Sequence, residues 1–366
     1  MSNALFGLNR LKLGIFGANL GGGCVATQAP RGLPATWPAT REIATLADQA
    51  GIEALVPVAR WKGFGGPTNF SGDSFETYTW AAGLGAQTQH ITPFATSHVP
   101  TIHPIVAAKQ ATTIDHITQG RFALNVVCGW FGDEFAMFGR PMMDHETRYD
   151  YAEEWVEIVR RLWTSHDEWD FEGRHFRIER GFLEPKPLQH PHPPIMNAGR
   201  SGTGNRFAAR YADIVFTSFW ESGHTGAGAA VSHLRRLAAE EFHRQIQVWS
   251  TAFVVCRPTE REAREAVHHV IEERGDWVAI DNLAQAIRMD DPNVPPELMR
   301  ARKARLMAGY GSYPLVGTPE QIVDELLRLS ADGVDGLALT WVDYATELRQ
   351  FIAEVLPLLR QAGLRV

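Results

Sequence analysis

The chain has 366 residues, 45% hydrophobic and 21% charged, a globular balance with ample material for a core. Lys and Arg number 35 against 42 Asp and Glu, a formal charge of −7 without a basic block, which argues against duplex nucleic acid as a partner. No apolar run reaches the roughly 18 residues that span a bilayer, and the opening residues lack the pattern of a secretory signal. Three scattered cysteines (Cys24, Cys128 and Cys256) exclude a disulfide scaffold and suit a cytoplasmic protein.

Taken in chain order, short β-rich runs alternate with amphipathic helical stretches. Leu11–Phe16 reads as a first strand, and Arg41–Ala50 as a helix stopped by Gly51. Ala54–Val58 is the second strand, followed by a Gly- and aromatic-rich loop over 60–73 and a helix near 74–86. His90–Ser97 and Arg121–Val127 are strands three and four, separated by a helix over Pro104–Ile117. A long helix spans Glu146–Trp163, with Ala152, Trp155, Val156, Val159 and Leu162 on one face. Trp169–Phe176 alternates about a turn, as a hairpin does.

Pro194–Ala198, Asp213–Thr217 and Gln247–Val255 read as strands five to seven, with helices over Gly204–Tyr211, Ala230–Phe242 and Glu260–Glu273. Asp276–Tyr313 breaks the rhythm as a mostly helical insertion, interrupted by Pro292, Pro295 and Pro296. Thr318-Pro319-Glu320 opens a helix with an N-cap, a proline at the first position and an acid in the first turn. Gly336–Trp341 is the eighth strand and Glu347–Gln361 the closing helix. Eight strands alternating with helices predict one (β/α)8 barrel over residues 1–366, an α/β TIM-barrel fold with insertions near 166–190 and 275–313.

A barrel concentrates chemistry at the C-terminal ends of its strands and in the loops that follow. There the sequence places Ala59-Arg60, Thr96-Ser97-His98, Asn125, Cys128-Gly129-Trp130 and the glycine-rich Asn197-Ala198-Gly199-Arg200-Ser201-Gly202-Thr203-Gly204. The last segment can hold an anion on backbone N–H groups and the Ser201 hydroxyl, or can be a tight turn without a ligand. Arg148 and Tyr149 at a helix start suit phosphate recognition, with a surface arginine and a core tyrosine as the plainer reading. Asn125 is an amide inside an apolar strand and needs a partner or a ligand. Arg60 is either a solvent cation or a counter-charge for an anionic ring. The 14 histidines show no zinc-site spacing, and no metal site is expected. Cys128 has no local partner that would make it a nucleophile.

Several of these segments together resemble the bacterial luciferase-like, flavin-dependent monooxygenases. The signature runs over His103-Pro104 to Asp115 and Gly120-Arg121-Phe122-Ala123-Leu124-Asn125-Val126-Val127, then Asp144-His145-Glu146-Thr147-Arg148-Tyr149 and Pro194–Ser201. The Val316-Gly317-Thr318-Pro319-Glu320 element extends the likeness to nearly the whole chain. Trp61-Lys62-Gly63-Phe64-Gly65-Gly66 is similar to the pyrimidine-oxygenase branch, whereas Gly129–Phe135 is similar to the dimethylsulfone-monooxygenase branch.

The resemblance implies reduced FMN as cofactor and O2 as co-substrate, with a separate flavin reductase as partner and a small organic molecule oxygenated. It also implies a homodimer or homotetramer. Flavin contacts would fall on Ala59, Arg60, Asn125, Glu134, Arg148, Tyr149 and Ser201, with Gly199 in the phosphate turn. Thr96 and Asn125 would face the oxygen, and Arg60 would stabilise the reduced ring. Arg60 departs from the lysine of the pyrimidine oxygenases, which keeps the cation and changes its reach. The alternatives are an F420-dependent oxidoreductase of the same fold and a flavin-binding protein without turnover.

Overall fold

A computed structural model describes residues 3–30, 32–219 and 227–366. β1 (Lys12–Phe16) leads to α1 (Trp37–Gln49), β2 (Ala54–Val56) to α2 (Thr77–Gly85), and β3 (Thr92–His98) to α3 (Pro104–Ile117). β4 (Ala123–Val127) is followed by the short α4 (Gly132–Met137) and the long α5 (His145–Thr164). β5 (Trp169–Glu172) and β6 (Arg177–Gly181) form an antiparallel hairpin of their own. Then come β7 (Ile195–Asn197), α6 (Gly202–Tyr211), β8 (Ile214–Phe216), α7 (Ala227–Phe242) and β9 (Gln247–Cys256). The chain ends with α8 (Glu260–His268), α9 (Trp277–Ala286), α10 (Pro296–Met307), β10 (Tyr313–Gly317), α11 (Pro319–Ala331), β11 (Gly336–Thr340), α12 (Tyr344–Gln350) and α13 (Leu356–Gln361).

β1, β2, β3, β4, β7, β8, β9 and β11 pair in parallel in that order, and β11 returns to β1, closing the eight-stranded barrel. β10 is a ninth strand that hydropathy alone does not reveal. Ala252 and Phe253 of β9 pair with β11 and also with Tyr313 and Pro314 of β10, so β10 lies on the edge of β9 opposite β11. It continues that edge where β8 stops, at Trp249. A proline is tolerated there because the strand is paired on one side, and the same proline obscures the pattern in the sequence. The prediction also lacks α4, too short to show a periodicity.

Three apolar clusters divide the interior. The largest lies between the barrel and its helices, where the periodic faces of α5 and α11 bury Trp155, Val159, Ile322 and Leu326. A second fills the barrel itself, with Val56, Phe94, Met196 and Trp249 pointing inward. The third joins Phe64, Phe70 and Phe131 to Ile280, Leu283 and Leu306 of the α9–α10 insertion, so the insertion is packed over the loops at the C-terminal end of the barrel. Burial of such side chains contributes roughly 1.5–3 kcal/mol each, enough to fix the insertion as a roof. α11 starts as its sequence indicates: Thr318 and Gln321 form a reciprocal capping box, with Pro319 at the first helical position. Among the described residues no helix is long and apolar enough to cross a membrane.

Candidate active site

Strand register brings the first pair together. Thr96 of β3 lies directly opposite Asn125 of β4, and both are more than nine-tenths buried. Asn125 Nδ2 donates to Thr96 Oγ1 at 3.2 Å, and the Thr96 hydroxyl donates to the Pro57 carbonyl at 2.6 Å. The hydroxyl hydrogen is thereby committed, and Thr96 acts on Asn125 as an acceptor. Asn125 keeps a second amide hydrogen and a buried Oδ1 without a partner. A buried amide left open in this wall marks a place for a ligand.

Arg60, two residues past the end of the second strand's apolar run, is held from several sides. Glu134 Oε1 meets its Nη1 at 3.0 Å, both side chains being almost wholly buried. The guanidinium lies over Trp130, 4.6 Å from the ring centroid, with Phe64 and Phe131 beside it. Its Nε has no acceptor, and Nη1 faces the carboxylate without hydrogen-bond alignment.

Both Glu134 oxygens are engaged. Oε1 also accepts from the Trp61 and Lys62 amides at 2.7 and 3.4 Å, and Oε2 stands 3.3 Å from His98 Nδ1. Burial pushes the Glu134 pKa up, but the His98 hydrogen bond and the Arg60 charge outweigh it, and the carboxylate stays ionised below its ordinary range. His98 is held below its ordinary value, chiefly by burial and further by Arg60. It is therefore neutral at pH 7, with its Nδ1–H directed to Glu134.

The glycine-rich turn after β7 forms a recess at the start of α6. Ser201 is the N-cap and accepts from the Gly204 amide at 2.9 Å. A Cβ on Gly204 would stand 2.5 Å from Tyr149 Oη and 2.9 Å from Gly199 Cα, so only glycine permits this approach. Arg148 donates to the Gly129 carbonyl, while its Nε is buried without a partner. A helix N-terminus, a guanidinium with an unused donor and a phenol converge here, an arrangement suited to a phosphate. The Tyr149 phenol is pushed up to about 12, mainly by burial, and stays protonated as a donor.

The strand ends and the roof border an open cavity of about 390 Å³. Ala59, Arg60, Thr96, His98 and Asn125 line one side, Arg200, Thr217 and Thr251 the other, and Leu283, Ile287, Leu306 and Tyr310 come from the insertion and the turn after it. Glu134 is not part of the lining; it stands behind Arg60. Arg200 and His98 lie in segments the sequence marks as strand ends, but no role was assigned to either. Alternation along an extended segment, two residues from Thr96 and one from Ser201, is the signal that selects them. Cys128 is a buried thiol raised to about 12 by burial, too weak an acid for a nucleophile. Among the described residues no group of His, Cys, Asp and Glu could hold a metal.

Comparison with known proteins bears on the family and the fold. The family model for luciferase-like monooxygenases matches residues 14–336. An FMNH2-dependent dimethylsulfone monooxygenase of Pseudomonas putida is 31% identical over 357 residues, covering 96% of each chain. The pyrimidine monooxygenase RutA of Acinetobacter baylyi is 30% identical over 361 residues, 95% of each chain. A solved riboflavin lyase, RcaE, with modified FMN and riboflavin, superposes with a TM-score of 0.85 at 24% identity, covering 97% of this chain and 92% of its own. With a closed barrel, a polar mouth and a family match over most of its length, the chain belongs to the luciferase-like monooxygenase family.

Proposed function

We propose that this chain is the oxygenase of a two-component system, receiving reduced FMN from a separate NAD(P)H-dependent flavin reductase. With O2 it oxygenates a small organic substrate: pyrimidine-like, aromatic heterocyclic or organosulfur. The observation that carries the reading is an anion recess at the start of α6 beside a cavity of about 390 Å³ at the barrel mouth. The residues fit FMN: the recess is one that a Cβ would fill, and Arg148 Nε, Arg60 Nε and Asn125 Oδ1 are buried donors and acceptors without partners. Reduced FMN supplies the electrons that activate O2.

The protein supplies binding and orientation. Ser201, the amides of the first turn of α6 and Arg148 hold the phosphate, and Tyr149 adds a donor. Ala59 offers a small wall beside Arg60, whose cation favours an anionic ring. Asn125, oriented through Thr96, presents its free amide hydrogen to the reacting oxygen. The α9–α10 roof gives the mouth an apolar wall through Leu283, Ile287 and Leu306. The oxygenase works as a homodimer or homotetramer in the cytoplasm, a compartment in keeping with three buried free cysteines.

The test is anaerobic titration with reduced FMN, then turnover under ¹⁸O2 with uracil-like, aromatic and organosulfur substrates and mass spectrometry of the products. Label in a product with reduced FMN, and none with reduced F420, is the expected result. Tight FMN binding with no labelled product from any class would favour a flavin-binding protein without turnover.

A further inference from the structure

One charge at the barrel mouth is not used by the site as described. Arg200, in the loop between β7 and α6, lines the cavity beside Phe216, Thr217 and Thr251. Among the described residues no carboxylate lines that cavity, and none makes a hydrogen bond or ion pair with Arg200. Arg60, the second cation there, is offset by Glu134 at 3.0 Å. Among the described residues Arg200 is thus the cation of the cavity that no carboxylate offsets.

Its direction separates it from the phosphate recess. Ser201 is extended, with φ −71° and ψ 168°, and its hydroxyl turns to the Gly204 amide. Neighbouring residues of an extended segment point to opposite sides, and Arg200 lines the cavity at the barrel mouth. Arg148 instead lines an adjoining cavity with Met143 and Asp144, and Trp130 and Ile287 form the wall common to both. Arg200 is exposed to the open cavity, with neighbouring groups crowded closely enough about it to hold its pKa below the ordinary value. A guanidinium that no described carboxylate faces is stabilised most by a two-oxygen anion that matches its fork.

We propose that Arg200 anchors an anionic group of the substrate, so that the enzyme prefers organic carboxylates or sulfonates to neutral molecules of the same size. This rests on the reading that flavin and substrate share the barrel mouth, and it deepens that reading by naming the substrate class. Thr217, just past β8, and Thr251, within β9, line the same cavity and offer hydroxyls to the anion's oxygens.

The test is equilibrium binding of matched probes to the protein loaded with oxidised FMN: orotate against uracil, and methanesulfonate against dimethylsulfone. The wild type is expected to bind each anion about 10- to 100-fold more tightly than its neutral counterpart, the range for a charge-assisted bond. Arg200→Met should abolish that preference and Arg200→Lys restore part of it, with FMN affinity and thermal midpoint within twofold and two degrees of wild type. Equal binding of anion and neutral probe by the wild type overturns the proposal. So does an Arg200→Met variant that loses FMN about tenfold while keeping the anion preference, because Arg200 then serves the flavin. FMN affinity is measured in its own arm, so a wild type that binds no FMN refutes the functional reading alone. The probe comparison is then made on the unloaded protein.

Discussion

Glu134→Gln isolates the charge that holds Arg60. The carboxylate lies 3.0 Å from the guanidinium, and both are almost wholly buried. At an effective dielectric constant of about 20 the Coulomb attraction is about 332/(20 × 3.0), or roughly 5–6 kcal/mol. Breaking one side of a buried pair costs about 3–5 kcal/mol, because the surviving charge is left without compensation. Two features place this case at the lower end. The glutamine oxygen still accepts from the Trp61 amide, at 2.7 Å in the native protein, and Trp130 continues to cover the guanidinium.

The expected loss is therefore about 3 kcal/mol, read from the urea midpoint at pH 7.5 with the slope unchanged. The companion is the double variant Arg60→Met, Glu134→Gln, which removes both charges and keeps the volume. It should recover most of the loss, since a buried pair replaced as a whole is nearly neutral. A Glu134→Gln protein within about 0.5 kcal/mol of wild type, the usual range for inconsequential surface changes, would refute the reasoning. A double variant no more stable than the single would refute it as well.

Asn125→Leu should cut turnover by about 10²–10³, the cost of one preorganised donor, whereas Thr96→Val, acting through Asn125, should cost about tenfold with flavin affinity near wild type. Wild-type coupling of oxygen to product in Thr96→Val would make Thr96 a packing residue only. Arg148→Ala should weaken reduced-FMN binding by about 1.5–3 kcal/mol, and an unchanged titration curve would remove it from the phosphate site. Gly204→Ala should lower FMN affinity by at least about tenfold and cost about 1–3 kcal/mol of stability, since its methyl group would crowd Tyr149 and Gly199; unaltered FMN binding in a folded variant would place the phosphate elsewhere. For pH, the folded His98 value lies below its ordinary 6.5, so its contribution to stability is complete above that pH and declines as pH falls toward the folded value. His98→Gln should flatten the stability profile below about pH 6.5, leaving the Glu134 contribution, which is present above its ordinary 4.5 and lost as pH falls through the lower folded value. Identical pH profiles for wild type and His98→Gln would exclude a neutral buried His98.

Much of this protein is legible from residue order because the information is local. Alternating β-rich runs and amphipathic helices announce the barrel, and Thr318-Pro319 announces the start of α11. Strand ends direct attention to Arg60, Thr96, Asn125 and the turn around Ser201, since a parallel barrel gathers its strand ends on one face. Pairings between distant residues are not local. Arg60 of the loop after β2, His98 at the end of β3 and Glu134 of α4 meet only when the barrel closes. The Thr96 hydroxyl could equally serve a ligand or the backbone until β2 and β3 are aligned, when it becomes bound to Pro57. The same holds for β10, whose partner on β9 lies outside its own neighbourhood in the chain. Nor does the run Arg200-Ser201 state which residue faces the recess and which lines the cavity at the barrel mouth. Hydrophobic period sets the elements, but register and closure decide which polar groups are satisfied and which are left for a ligand.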